Sequence, residues 1–330
     1  MRAPAFWADE RGGAAAAALA PLSWLYRLAA EARAGLARPQ RAAVGVLCVG
    51  NFTVGGAGKT PTVLALAALL AQDGIRPHIL TRGYGGCERG PLRVDPDRHD
   101  ARAVGDEALL LARAAPTWLS RDRPAGAASA AAAGAPLVLM DDGMQSPGLA
   151  KDICLAVVDG GAGFGNGRLL PAGPLREPLA RGLGRAHALV LVGSDRRGAL
   201  AALGAHDLPV IEASLVPGEE VRALRERPVV AFAGIGRPGK FFETLADSGC
   251  TVIARHAFPD HHRYTSGEIA AIVAQAKERD AVAVTTEKDH VRLPAETRAL
   301  VCALPVTLVW RDPAEARALL APLVARCRRA

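Results

Sequence analysis

Ala43-Val44-Gly45-Val46-Leu47-Cys48-Val49 leads through Gly50-Asn51-Phe52-Thr53-Val54 into Gly55-Gly56-Ala57-Gly58-Lys59-Thr60, and the reading of this stretch decides the fold. The opening run is apolar throughout and of strand length, while Lys59–Gln72 has helical spacing and stops near Gly74. A strand, a glycine-rich turn and a helix in that order make a phosphate-binding loop. Gly55, Gly56 and Gly58 let backbone N–H groups converge on phosphate oxygens, Lys59 reaches the β- and γ-phosphates, and Thr60 offers a hydroxyl to Mg²⁺. The full pattern G-x-x-x-x-G-K-[ST] opens with a glycine where this chain has Thr53, so the match is partial. The whole segment Thr53, Val54, Gly55, Gly56, Ala57, Gly58, Lys59 and Thr60 is expected to bind the nucleotide.

Outward from the loop, apolar strand candidates recur at Pro77–Thr81, Pro116–Leu119, Pro136–Met140, Ile153–Asp159 and Ala188–Gly193, with helical segments at Gly105–Ala114 and Ala125–Ala133 between them. Such alternation implies a mostly parallel sheet with helices on both faces, whose ligands bind beyond the carboxyl ends of the strands. A second series starts near Arg227, with strands at Pro228–Ala233, Cys250–Arg255, Ala281–Thr285 and Val306–Trp310 and helices at Gly239–Asp247, Ser266–Arg279 and Asp312–Arg326. The expected organisation is α/β: a P-loop NTPase-like core over residues 42–226, including a weakly periodic connector from Arg196, and a smaller α/β domain over 227–330. An N-terminal helical segment over 1–41 precedes them.

The chain has 330 residues, half of them hydrophobic and 22% charged, which excludes a disordered chain. Its formal charge of +7 suits an anionic partner, but only five lysines occur among many arginines, so biased composition is a competing account. No aromatic-basic motif supports nucleic-acid binding. Six scattered cysteines show no metal-ligand spacing and read as reduced thiols.

Near the N-terminus an uncharged run over residues 12–26 is too short to span a bilayer, which needs about 20 apolar residues. From Pro21 the spacing is helical: Leu25, Leu28, Ala29, Ala32 and Leu36 share one side, and Ser23, Arg27, Glu31 and Arg38 the other. Trp24, Tyr26 and the nearby arginines suit a helix lying in an anionic membrane surface. A helix packed on the protein's own core is the alternative.

Carboxylates stand where strands end. Asp141 and Asp142 close the run from Pro136, as the Mg²⁺-associated acids of a P-loop enzyme do. Asp106 opens a helix, either as a proton acceptor or as a plain first-turn acid. The glycine-rich loop Gly160–Pro178 carries Asn166, Arg176 and Glu177, the last two suited to phosphate and metal or to a surface ion pair. Asp260-His261-His262 has no Cys or His cluster around it, so zinc is not expected.

Together these stretches resemble the tetraacyldisaccharide 4′-kinases of lipid A biosynthesis over nearly the whole chain. The resemblance rests on Pro21–Tyr26, Val49–Asn51, Gly55–Pro61, Arg82–Gly86, Val104–Glu107, Asp141–Gly143, Gly163–Pro178, Ala233–Gly236, Asp260–His262 and Thr286–Asp289. It implies an ATP- and Mg²⁺-dependent kinase acting on the 4′-hydroxyl of a tetraacylated glucosamine disaccharide 1-phosphate, peripheral to the cytoplasmic face of the inner membrane. It implies Asp106 as general base with His261 as its partner from the second domain, and Lys59 at the transferred phosphate. Thr60, Asp141, Asp142 and Glu177 would be the metal residues, Arg123 and Arg176 phosphate contacts, and Tyr84 and Asn166 substrate contacts. The chain departs from the family at Met144, Gln145 and Ser146 after the acidic pair and at Ala108. The loop also resembles the deviant P-loops of ATPases that partition or insert proteins, which carry a lysine where Val54 stands. A membrane-associated ATPase without a lipid acceptor, or a non-catalytic nucleotide-binding module, are therefore the other classes.

Overall fold

The computed structural model describes residues 4–9 and 12–329, so residues 1–3, 10 and 11 of the expected N-terminal segment lie outside it. Gly45–Asn51 is the central strand, buried along its whole length. Because side chains alternate across a strand, its residues feed two cores. Leu47 and Val49 pack with Leu66 and Leu70 of the helix Lys59–Gln72, whereas Val46 and Cys48 pack with Ala127 and Ala130 of the helix Arg123–Ala132. Both faces are covered, as a parallel sheet requires.

Among the described residues the large sheet has nine strands. Their order is Val306–Trp310, Val210–Pro217, Ala188–Val192, Ile153–Asp159, Gly45–Asn51, Leu137–Asp141, His78–Thr81, Thr117–Leu119 and Leu92–Arg93. The pairings are parallel except at the two edges. A second sheet is parallel throughout, ordered Thr251–Ala257, Pro228–Ala233, Val282–Thr286, Cys302–Leu304. It lies between Phe241, Phe242 and Leu245 of one helix and Ile269 and Ile272 of another.

Two expectations need correction. Val306–Trp310 does not belong to the small sheet, and the smaller unit does not run to residue 330. That strand returns to the large sheet, antiparallel to Val210–Pro217, with Val306 opposite Pro217. Pro305 separates it from Cys302–Leu304, and Leu308 and Trp310 point into the large core while Val309 faces out. The closing helix Pro313–Cys327 follows, seating Ala316, Leu320 and Leu323 in the same core. The expected connector likewise contains a full strand, Val210–Pro217. Second from the edge, it buries only alternate residues, so it lacks the continuous apolar run that marks the central strands.

The N-terminal helix spans Gly13–Leu36, beginning before Pro21. It does not lay its apolar side on the core. Leu22, Leu25, Leu28 and Leu36 are 51%, 55%, 41% and 84% exposed, and Trp24 is 61% exposed, which overturns the core-packed alternative. Contact runs instead through Ser23, whose hydroxyl donates to Leu169 O at 2.9 Å and accepts from Ala172 N at 3.1 Å. No described helix is long and apolar enough to cross a membrane.

Ending the chain after Pro305 should therefore unfold the large domain, not trim a separate one. It removes Leu308, Trp310, Ala316, Leu320 and Leu323 from the main core, at about 1.5–3 kcal/mol for each large side chain. Loss of the cooperative thermal transition is expected; a truncated chain with parental melting would contradict the placement.

Candidate active site

A cleft of about 740 Å³ separates the two sheets. Thr81 and Asp141, at strand ends of the large sheet, line it. From the small domain come Gly236, Arg237, Lys240, His261 and Lys288. Gly236 sits against the phosphate loop so closely that a Cβ there would lie 3.3 Å from Gly56 N.

Gly55 and Gly58 have φ of 112° and 92°, the left-handed region that a side chain disfavours. A Cβ on Gly55 or Gly56 would meet no atom within 4 Å, so the loop opens onto free space. The loop Gly160–Pro178 clamps it from the side: Val54 N donates to Pro174 O and Arg176 N to Phe52 O, both at 2.8 Å. Lys59 Nζ donates to Asn51 Oδ1 at 3.2 Å and stands 3.8 Å from Asp142. Burial lowers the Lys59 pKa despite the opposing pull of Asp142. An anionic phosphate in front of this desolvated ammonium would restore its preference for the charged form.

Asp141 is buried at the strand end, with Oδ2 accepting from Thr81 at 3.3 Å and Oδ1 bonded to nothing. Burial first, then the charges of Glu107 and Asp142, push its carboxyl up to about 7. Asp142 takes both its bonds from Arg176, at 2.8 and 2.9 Å. Burial alone would raise the Asp142 pKa, but Lys59 and Arg176 hold it below the usual carboxylate value. Glu177 pairs with Arg185 and accepts from Gln145 Nε2 at 2.8 Å. Among the described residues no three His, Cys, Asp or Glu side chains converge as a finished metal site. The donor set nevertheless fits Mg²⁺, which needs one or two carboxylates beside phosphate oxygens, and the orphaned Oδ1 of Asp141 is such a donor.

Asn166 is placed differently from expectation, and Arg123 lines the cleft while also bonding backbone. The Arg123 guanidinium donates to Leu80 O at 3.1 Å and Asp141 O at 2.9 Å, tying two strand ends together, with its Nε left without a partner. Asn166 donates to Ala172 O and Phe6 O and accepts from Arg168 N, bracing its own loop outside the cleft lining. Both are polar residues in the right segment whose direction only packing decides. Tyr84 is exposed at the mouth, its ring centroid 4.9 Å from that of His261.

Across the cleft, His261 Nδ1 meets Asp106 Oδ2 at 3.0 Å. Asp106 begins the helix Asp106–Ala114 and is 3% exposed. Burial works to raise its pKa, but the His261 hydrogen bond and the Lys288 and Arg292 charges prevail and hold it at about 2. Further charge pairs join the domains: Glu107 with Lys288 at 3.0 Å, and Asp159 with Arg237 at 2.6 Å and Lys240 at 3.4 Å. His262 turns away to Glu268 and stacks on Phe258. Sequence reasoning did not find Arg292, Arg185, Asn51 as the Lys59 partner, or Gln145 as the Glu177 partner. Gln145 was visible only as a departure at the acidic motif, and Arg292 left no signal beyond its place three residues after Asp289.

Substituting Arg123→Met should lower unfolding free energy by about 3 kcal/mol, the scale for stripping charged donors from buried acceptors. Urea denaturation measures it. Parental stability with weakened ATP binding would make it a phosphate contact and not a brace.

The chain was compared with known proteins. The family described as Tetraacyldisaccharide-1-P 4'-kinase matches residues 15–325. The tetraacyldisaccharide 4'-kinase of Paramagnetospirillum magneticum is 53% identical over 326 residues, covering 99% of this chain and 98% of that protein. That of Rhodospirillum centenum is 54% identical over 328 residues, covering 98% and 97%. Among solved structures, the "apo" form of LpxK from Aquifex aeolicus in complex with ATP superposes with a TM-score of 0.76 at 28% identity, covering 94% of this chain and 99% of that one. Matches of this extent, over both the large and the small sheet, leave one assignment: the chain belongs to the tetraacyldisaccharide-1-P 4'-kinase family.

Proposed function

We propose that this protein transfers the γ-phosphoryl group of ATP to the 4′-hydroxyl of a tetraacylated glucosamine disaccharide 1-phosphate, working at the cytoplasmic face of the inner membrane. The observation that carries the reading is the joining of the phosphate loop and the Asp106–His261 pair in one cleft. Phosphoryl transfer to an alcohol needs a cradle for the nucleotide phosphates and an acceptor for the hydroxyl proton. Loop N–H groups, Lys59 and Thr60 supply the cradle, with Arg176 on the cleft wall as a further phosphate partner. Asp141, Thr60 and, behind them, Asp142 and Glu177 would hold Mg²⁺, which neutralises charge on the β- and γ-phosphates when bound. The Asp106–His261 pair receives the proton, and Tyr84 at the mouth is placed to meet the sugar.

Membrane attachment is supported by the outward apolar side of the helix Gly13–Leu36. Tyr26, Ala30, Arg33 and Ala34 of the same helix line the cleft. One element thereby faces both the lipid phase and the reacting site, which suits an acceptor whose acyl chains stay in the bilayer.

Labelled ATP and a purified disaccharide lipid give the direct assay. Asp106→Ala should lose transfer by about 10²-fold or more with ATP affinity retained; transfer at the parental rate would remove the pair from the mechanism. Vigorous hydrolysis without lipid, stimulated by a protein partner, would favour an ATPase instead. For the membrane face, the double substitution Leu25→Asp and Leu28→Asp should cut sedimentation with anionic vesicles by at least about tenfold. Melting should be unchanged because both side chains are exposed. Undiminished vesicle binding would show that the helix is not the anchor.

A further inference from the structure

We propose that Cys48, Cys154 and Met140 form a binding site for a soft monovalent metal ion, copper(I) in class, buried in the large sheet behind the cleft.

Along the chain the six cysteines show no ligand spacing, because two of them meet only through the sheet. Cys48 on the strand Gly45–Asn51 stands opposite Cys154 on Ile153–Asp159 and, on its other side, opposite Met140 on Leu137–Asp141. Register partners project to the same face of a sheet, and all three side chains pack in one core cluster. Cys48, Cys154 and Met140 are 0%, 2% and 0% exposed, and both thiols are free. Sulfur atoms therefore form a row across three neighbouring strands. The two thiols interact directly. Met140 Sδ turns toward the same place: a Cβ on Gly143 would overlap it and lie 3.0 Å from Cys48 Sγ.

Buried cysteine and methionine also serve as plain core packing. Packing needs no cation, however, and one stands beside the row. Lys151 acts through its charge on both thiols. Its Nζ donates to Ser146 O at 2.6 Å and Leu149 O at 3.3 Å, which leaves one of its three N–H donors.

Ligand softness selects the ion. Two thiolates and a thioether suit copper(I), whereas structural zinc takes four ligands, and among the described residues no third Cys, His, Asp or Glu joins the pair. Metal–thiolate bonds of about 2.3 Å let an ion midway between strands about 4.8 Å apart reach a sulfur on each. On binding, Cys48 and Cys154 each release a proton to water and give an electron pair to the metal, whose oxidation state does not change. Met140 gives a pair and loses no proton. The bound unit then carries one net negative charge, which the Lys151 ammonium balances. A disulfide would use the two thiols but give Met140 and Lys151 no part. Entry follows the polar side chains beside Cys154, Lys151 and Arg185, the second of which is 37% exposed.

The test is a titration of the reduced full-length protein, without oxygen, against copper(I) buffered by bicinchoninate. Uptake of a single ion is expected, with thiolate-to-copper charge-transfer absorption and an X-ray absorption spectrum showing sulfur ligands alone. Cys154→Ala should weaken binding by at least about 100-fold, and Met140→Leu and Lys151→Gln by about tenfold each. Cys87→Ser, which removes an exposed thiol, should bind as the parent does. Because the ion joins three strands of the folded sheet, saturating copper(I) should raise the melting temperature of the parent and not of Cys154→Ala. Parental affinity in Cys154→Ala, nitrogen or oxygen ligands in the spectrum, or a Cys48–Cys154 disulfide forming in place of uptake overturns the proposal. If Cys154→Ala does not fold, the Met140→Leu affinity and the parent's spectrum decide it. None of these readouts uses phosphoryl transfer, so failure of the kinase reading leaves the test intact.

Discussion

One carboxylate holds the site together. Asp106 belongs to the large domain, and both groups on its Oδ2, His261 at 3.0 Å and Arg292 at 3.2 Å, belong to the small one. Glu107–Lys288 and Asp159 with Arg237 and Lys240 add ionic contacts across the cleft, and Val291 of the small domain packs into an apolar cluster with Val104, Ala108 and Leu109 of the large one. Charge pairs of this kind gain little net stability once desolvation is counted. They do specify orientation, while the apolar contact of Val291 adds burial to the junction.

The chain enters and leaves the small domain at one place. The small domain leaves the large sheet after Val210–Pro217 and returns at Val306–Trp310, strands that pair antiparallel with Pro217 opposite Val306. Gly218 N donates to Pro305 O at 2.8 Å, closing the stem. These two adjacent connections fix where the small domain leaves the sheet, and Gly236 and His261 line the same cleft as the phosphate loop.

The loop Gly160–Pro178 links the remaining parts. It receives Ser23 and Trp7 from the N-terminal segment, clamps the phosphate loop through Pro174 and Arg176, and carries Arg176 and Glu177 into the cleft. Its Asn166, read from sequence as a ligand contact, serves this bracing instead.

The sequence alone determined the phosphate loop, the α/β alternation, the acids at the strand ends and the amphipathic N-terminal helix. Each is a local pattern: glycines where φ must be positive, apolar runs where a strand is covered on both faces, and a 3.6-residue stripe on a helix. Tertiary structure decided which way that stripe faces, that residues 306–329 rejoin the large sheet, that Arg123 braces strand ends, and that Arg292 shares Asp106 with His261. Those outcomes depend on the direction of a polar side chain or the partner of an edge strand. Such choices are settled by groups distant in sequence, since a buried donor bonds whichever acceptor packing brings to it.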